Sequence, residues 1–167
     1  MGNADMMADR LRRVKKTARK RATARKGGTQ VVGNIGMYFA AYRLSQMGWN
    51  VMPTARNARG IDLLAYSHSA DRYLGIQIKA LSAPKHAVPL GESIEALMGE
   101  WWIIITKAIT TEPECFIMKP EEVKRLADQN VKDGKASHWL EHKKYQTDDF
   151  RGAWHRIGRG DEPKSTK

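Results

Sequence analysis

One cysteine in 167 residues excludes an internal disulfide, and Cys115 has no second thiol with which to form a thiolate metal site. Long apolar runs are also missing. Trp101 to Ile105, the longest run near the middle of the chain, falls far short of the ~20 residues a membrane-spanning helix needs. The basic stretch at the N-terminus is not followed by an apolar core and a small-residue cleavage site, so it does not read as a secretory signal. A reducing, cytoplasmic setting without a membrane partner is the expectation. Acidic residues are scarce as well, and most scarce at one end. Residues 1–30 hold ten Lys and Arg against two Asp, a net of +8, which leaves only +3 of the total +11 for the rest.

The length suits one compact domain with tails. A hydrophobic content of 41%, with five Trp and three Phe, is enough to build a core. Residues 1–28 read as a basic arm, 29–158 as a single domain and 159–167 as a polar tail. In the arm, Arg12, Arg13, Lys15, Lys16, Arg19, Lys20, Arg21, Arg25 and Lys26 form a concentration of charge. Such a segment attracts phosphate backbones through counterion release and is extended by its own repulsion when free. It lacks the Leu, Phe and Trp face of an interfacial membrane helix.

Past Gly28, hydrophobic spacing predicts a helix from about Gln30 to Met47, with Val32, Ile35, Phe39 and Tyr42 as its stripe. Ala40, Leu44 and Met47 widen the stripe, and Gly48 serves as the C-cap. Short strands are expected at Trp49–Met52, Ile61–Tyr66 and Tyr73–Ala80, with turns at Asn57–Gly60 and Ser67–Arg72. A loop carrying Pro84 and Pro89 leads to a short helix near Glu92–Met98. Strands follow at Trp101–Thr106 and Cys115–Met118, then a helix from Pro120 to about Gln129 and further helical segments between His138 and Ile157. This order is an α/β pattern with a mixed central sheet flanked by helices.

The informative residues are Asp62, Gln77 and Lys79. Side chains alternate along a strand, so Gln77 and Lys79 share a face. If the two strands pair through the Ser67–Arg72 turn, Asp62 stands beside them at one sheet edge. Metal-assisted phosphodiester hydrolysis needs such a set: oxygen ligands for Mg²⁺ beside the phosphate, and a cation to orient water and offset charge. The Ile78 carbonyl, between the two side chains, is a further oxygen. Arg56 and Arg59, just before Asp62, are spaced to touch a phosphate backbone.

This arrangement, D…(E/Q)-x-K after an amphipathic helix, resembles the PD-(D/E)XK nuclease superfamily, which includes restriction enzymes and Holliday-junction resolvases. The text Gly33-Asn34-Ile35-Gly36-Met37-Tyr38-Phe39-Ala40 resembles the G-x-x-G-E-x-x-A helix of several branches. Gly60-Ile61-Asp62-Leu63-Leu64, Ile76-Gln77-Ile78-Lys79 and Phe116 to Val123 resemble their later motifs. The likeness covers about Gly33 to Leu126. It implies a restriction-endonuclease-like core, a weakly bound Mg²⁺ or Mn²⁺ on Asp62, Gln77 and Ile78, and Lys79 as the residue that orients water.

Two positions depart from the pattern: Gln77 replaces the commoner acid, and Met37 occupies the place of the helix glutamate. Asp62 is then the one carboxylate in the set, unless Glu92 or Glu95 leans in. The resemblance leaves two functions open. One is a metal-dependent DNA endonuclease of restriction, repair or mobile-element type. The other is an inactive nuclease-fold DNA-binding subunit, working as a homodimer or in a multi-protein assembly. RNA stays open beside DNA, because backbone charge does not distinguish them.

Other groupings carry less. His138 and His142, with Glu141 between them, have helical spacing but no third ligand. Gly158-Arg159-Gly160 is too short for a phosphate loop. The tryptophans read as packing residues, and Cys115 as a small buried hydrophobe.

Overall fold

A computed structural model describes residues 28–54 and 60–162. The chain divides into two units, Met1–Val31 and Val32–Lys167. Of the first, only the opening residues of a helix spanning 28–46 (α1) are described. Gly28 is therefore part of that helix rather than its boundary. The arm residues Arg12 to Lys26 lie outside the described residues, as do Arg56 and Arg59.

The second unit contains two sheets. The larger runs β1 (Asn50–Pro53), β2 (Leu63–Tyr66), β3 (Tyr73–Ala80), β5 (Trp101–Thr106) and β6 (Glu114–Met118) in the order β1-β2-β3-β5-β6. The first three form an antiparallel meander, β3 and β5 are parallel, and β6 is antiparallel to β5. This is the α/β architecture with a mixed central sheet that the motif order implied. The smaller sheet has the order β4-β8-β7, from β4 (Val88–Gly91), β8 (Lys135–Leu140) and β7 (Asp128–Lys132).

Strand alternation divides the core between the two faces of the large sheet. Ile76, Ile78, Ile103, Ile105 and Ile117 join Ala40 and Leu44 in one buried cluster, whereas Trp102, Ile104, Phe116 and Met118 join Val88 and Leu140 in another. The layers are thus α1, the five-stranded sheet and the three-stranded sheet. Trp101 to Thr106 is buried on both faces, as a strand between two layers must be.

Several local expectations are corrected. On α1 the deeply buried positions are Ala40 and Leu44, while Ile35 and Tyr42 are exposed, so the core-facing stripe is rotated from the one expected. The segment expected as a helix near Glu92–Met98 holds only a 3-10 turn, Ile94–Ala96, and the loop before it contains β4. Pro89 fits there because β4 is an edge strand. The helix expected from Pro120, α2 (Pro120–Leu126), stops short of Gln129 because Ala127 is extended, and the chain turns into β7. His138 lies on β8, and His142 begins a short helix, α3 (His142–Tyr145). The supposed histidine pair therefore shares no helix.

Residues 158–162 tie two distant elements together. Trp49 Nε1 donates to Gly158 O at 3.0 Å, and Gly160 N donates to Met47 O at 2.9 Å. His68 N, in the β2–β3 turn, donates to Gly160 O at 2.9 Å. The Arg72 guanidinium lies over the Trp49 ring and donates to Arg159 O at 2.7 Å and Glu162 O at 2.5 Å.

Candidate active site

The β2–β3 register places the site. Leu63 pairs with Ile76, and the Asp62 N–H extends the ladder by donating to Ile76 O at 2.9 Å. Asp62 therefore stands opposite Gln77, one residue before β2 begins. Both face away from the α1 layer, because their neighbours Leu63 and Ile76 face toward it. Lys79, two residues on from Gln77, shares that face.

Asp62 Oδ2 receives two donors: the Ile78 backbone N–H at 2.7 Å and Gln77 Nε2. Gln77 Nε2 also donates to Ile78 O at 3.2 Å. One point, the end of the Gln77 amide, is thus within hydrogen-bonding reach of the Asp62 carboxylate and the Ile78 carbonyl. A half-turn of the amide would present Oε1 in place of Nε2. Carboxylate, amide oxygen and backbone carbonyl are the donor types a hard divalent cation takes, so these residues could hold one. Among the described residues, no three His, Cys, Asp or Glu side chains converge as a metal site.

Lys79 reaches across the same face toward Trp102, its Nζ 5.4 Å from the ring centroid. The parallel register accounts for this, with Gln77 opposite Trp102 and Lys79 opposite Ile104. Burial pushes the Lys79 ammonium below the usual lysine range, and the Asp62 carboxylate partly offsets this. Gln77, Lys79 and Trp102 line a cleft of about 460 Å³ together with Leu90, Gly91 and Glu92. Trp102 is fixed there by its Nε1–H, which donates to Met98 O at 2.9 Å.

The other candidates from the sequence are distributed as follows. Met37 packs against the hydrophobic cluster on the α1 side of the sheet and supplies no ligand. Glu95 pairs with Lys124 at 3.0 Å, whereas Glu92 lines the cleft. The tryptophans 49, 101, 102 and 154 are buried. Sequence reasoning missed Trp102 as a cleft residue, although its register with Gln77 follows once β3 and β5 are taken as parallel. It also missed Glu100, whose carboxylate accepts the Gly75 N–H two residues before Gln77.

Comparison with protein-family profiles and with curated proteins finds no match. Among solved structures, a bacterial homing endonuclease is similar at a TM-score of 0.49 and 16% identity, over 77% of this chain and 91% of that one.

Proposed function

We propose that the protein is a divalent-metal-dependent DNA endonuclease that hydrolyses phosphodiester bonds. The observation carrying this reading is that the end of the Gln77 amide reaches both Asp62 Oδ2 and the Ile78 carbonyl, while Gln77 and Lys79 line one cleft. Asp62, Gln77 and Ile78 would hold Mg²⁺ or Mn²⁺, which when bound polarises a phosphoryl oxygen and stabilises the charge that develops on it. Lys79 would orient the attacking water and offset charge on the scissile phosphate. Its position over Trp102 keeps the ammonium partly out of water, where its field acts more strongly. With a single carboxylate, affinity for the cation stays low until substrate phosphate adds its own charge.

The test is incubation of the purified full chain with supercoiled, linear and branched DNA in Mg²⁺ and in Mn²⁺. Nicking or cutting that disappears in Asp62→Asn and Lys79→Ala is the expected result. Intact DNA under every condition overturns the proposal.

A second reading has one observation in its favour. Met37, half-buried, packs against the core where the resembling helices carry an acid, which is what a nuclease fold retained only for binding would tolerate. It predicts DNA binding that Asp62→Asn leaves unchanged, and no cleavage with either metal.

A further inference from the structure

The hairpin formed by β7 and β8 stands out from the domain. Asp133 and Gly134, at φ of 51° and 74°, form the tight turn that the right-handed twist of a hairpin favours. Gly91, on the wall of the cleft, pairs with His138 of β8. Beyond that pair β4 ends, while β8 continues for three residues to Lys135, an overhang of about 10 Å at strand rise. From Gln129 to Lys132, β7 is exposed along its whole length. The ribbon therefore extends past the end of the cleft that bears Gly91 and Glu92.

One face of this overhang is entirely polar. Asn130 opposes Ser137, and Lys132 opposes Lys135. Like charges directly across an antiparallel pair are destabilising, and no carboxylate among the described residues pairs with either lysine. A phosphate beside each lysine would offset that repulsion. The major groove of duplex DNA, ~12 Å wide and ~8.5 Å deep, admits a two-stranded ribbon of this size.

We infer that the β7–β8 hairpin enters the major groove of a DNA duplex lying across the cleft, where Lys132 and Lys135 hold phosphates and Asn130 with Ser137 meets base edges. This rests on the nuclease reading for its substrate and adds to it the element that selects sequence. Asn pairs with the N6 and N7 edge of adenine, and Ser accepts several partners, so Asn130 is the residue that discriminates.

The experiment measures binding rather than cutting, in the full-length Asp62→Asn chain without divalent metal. The probes are a DNA duplex pool with a randomised centre and an RNA duplex of the same sequences. Lys132→Ala with Lys135→Ala should flatten the plot of log affinity against log salt by about 1.8, ~0.9 per phosphate contact. The two Lys→Arg replacements should restore the slope, which a merely unfolded hairpin would not allow. Asn130→Ala should relax the preference at one base position by roughly tenfold. RNA duplex binding should not respond, because the A-form major groove is too narrow for side chains to read. Unchanged slope and preference in a chain whose parent cleaves DNA overturn the hairpin inference alone. Weakened binding in a chain whose parent never cleaves overturns the nuclease reading alone. A parent that binds no duplex overturns both.

Discussion

The backbone N–H of Ile78 donates to Asp62 Oδ2 at 2.7 Å, so the carboxylate of one strand end is fixed by the main chain of the next strand. The orientation of Asp62 thus depends on the β2–β3 register itself. A one-residue slip would turn Gln77 and Lys79 to the α1 side and dismantle the site while leaving each strand intact.

Asp62 can be separated from folding by choice of substitution. Asp62→Ala leaves the Ile78 N–H without this acceptor and the Gln77 amide with Ile78 O alone, and an unmet buried group costs about 1–3 kcal/mol. Asp62→Asn keeps an oxygen there. Its melting temperature should stay near that of the parent while cleavage falls about 100-fold or more, as measured by thermal denaturation beside a plasmid-nicking assay.

Lys79 should set an alkaline limit on cleavage. Burial lowers its pKa, so as pH rises the native state releases this proton before the unfolded chain does. The buried ammonium opposes folding below the lowered pKa, and that penalty is relieved as pH rises through it. Activity should run the opposite way, declining as the ammonium is lost. In Lys79→Arg, whose guanidinium stays charged, the alkaline decline in the rate–pH profile should disappear.

The two glycines of the α1 motif should respond oppositely to alanine. A Cβ on Gly36 would collide with Ala80 Cβ and sit 3.6 Å from Ile105 Cδ1, whereas one on Gly33 would meet nothing within 4 Å. Gly36→Ala should lose about 1–3 kcal/mol through overpacking. Gly33→Ala should gain up to ~1 kcal/mol of helix propensity. Urea denaturation of both variants checks the contrast.

The Cys115 thiol should be inert in the native protein. Burial pushes its pKa up to about 12, against a smaller downward pull from Arg43, and the thiolate is the reactive form. Labelling by a disulfide reagent at neutral pH should wait on unfolding, with a rate that rises in step with denaturant.

Strong local signals carried much of the fold. Leu74, Ile76 and Ile78 alternate, and Trp101 to Ile105 is apolar throughout; both strands lie where that pattern puts them. The Asp62, Gln77 and Lys79 grouping was readable because alternation and one short turn suffice to assemble it. The small sheet was not, because β7 has no apolar face of its own: Asp128 to Lys132 contributes nothing fully buried and is held by its pairing with β8. The Asp133-Gly134 dipeptide is a hairpin signal that would have exposed it. The rotation of α1 has another cause. Ile35 and Tyr42 are apolar by type, yet the close approach of Gly36 to Ala80 decides which side of the helix meets the sheet.

The tie formed by residues 158–162 also bears on synthesis. The Trp49–Gly158 bond closes 109 positions of chain, and the Met47–Gly160 bond spans a similar interval. A ribosome makes α1 and the β1–β3 meander first, at about 5–20 residues per second, and their fastening follows well behind, Gly158 lying 109 positions after Trp49. Until then the C-terminal end of the helix and the Ser67–Arg72 turn wait without their common partner. Until residues 158–162 have been made, the elements carrying Asp62, Gln77 and Lys79 therefore lack part of their support.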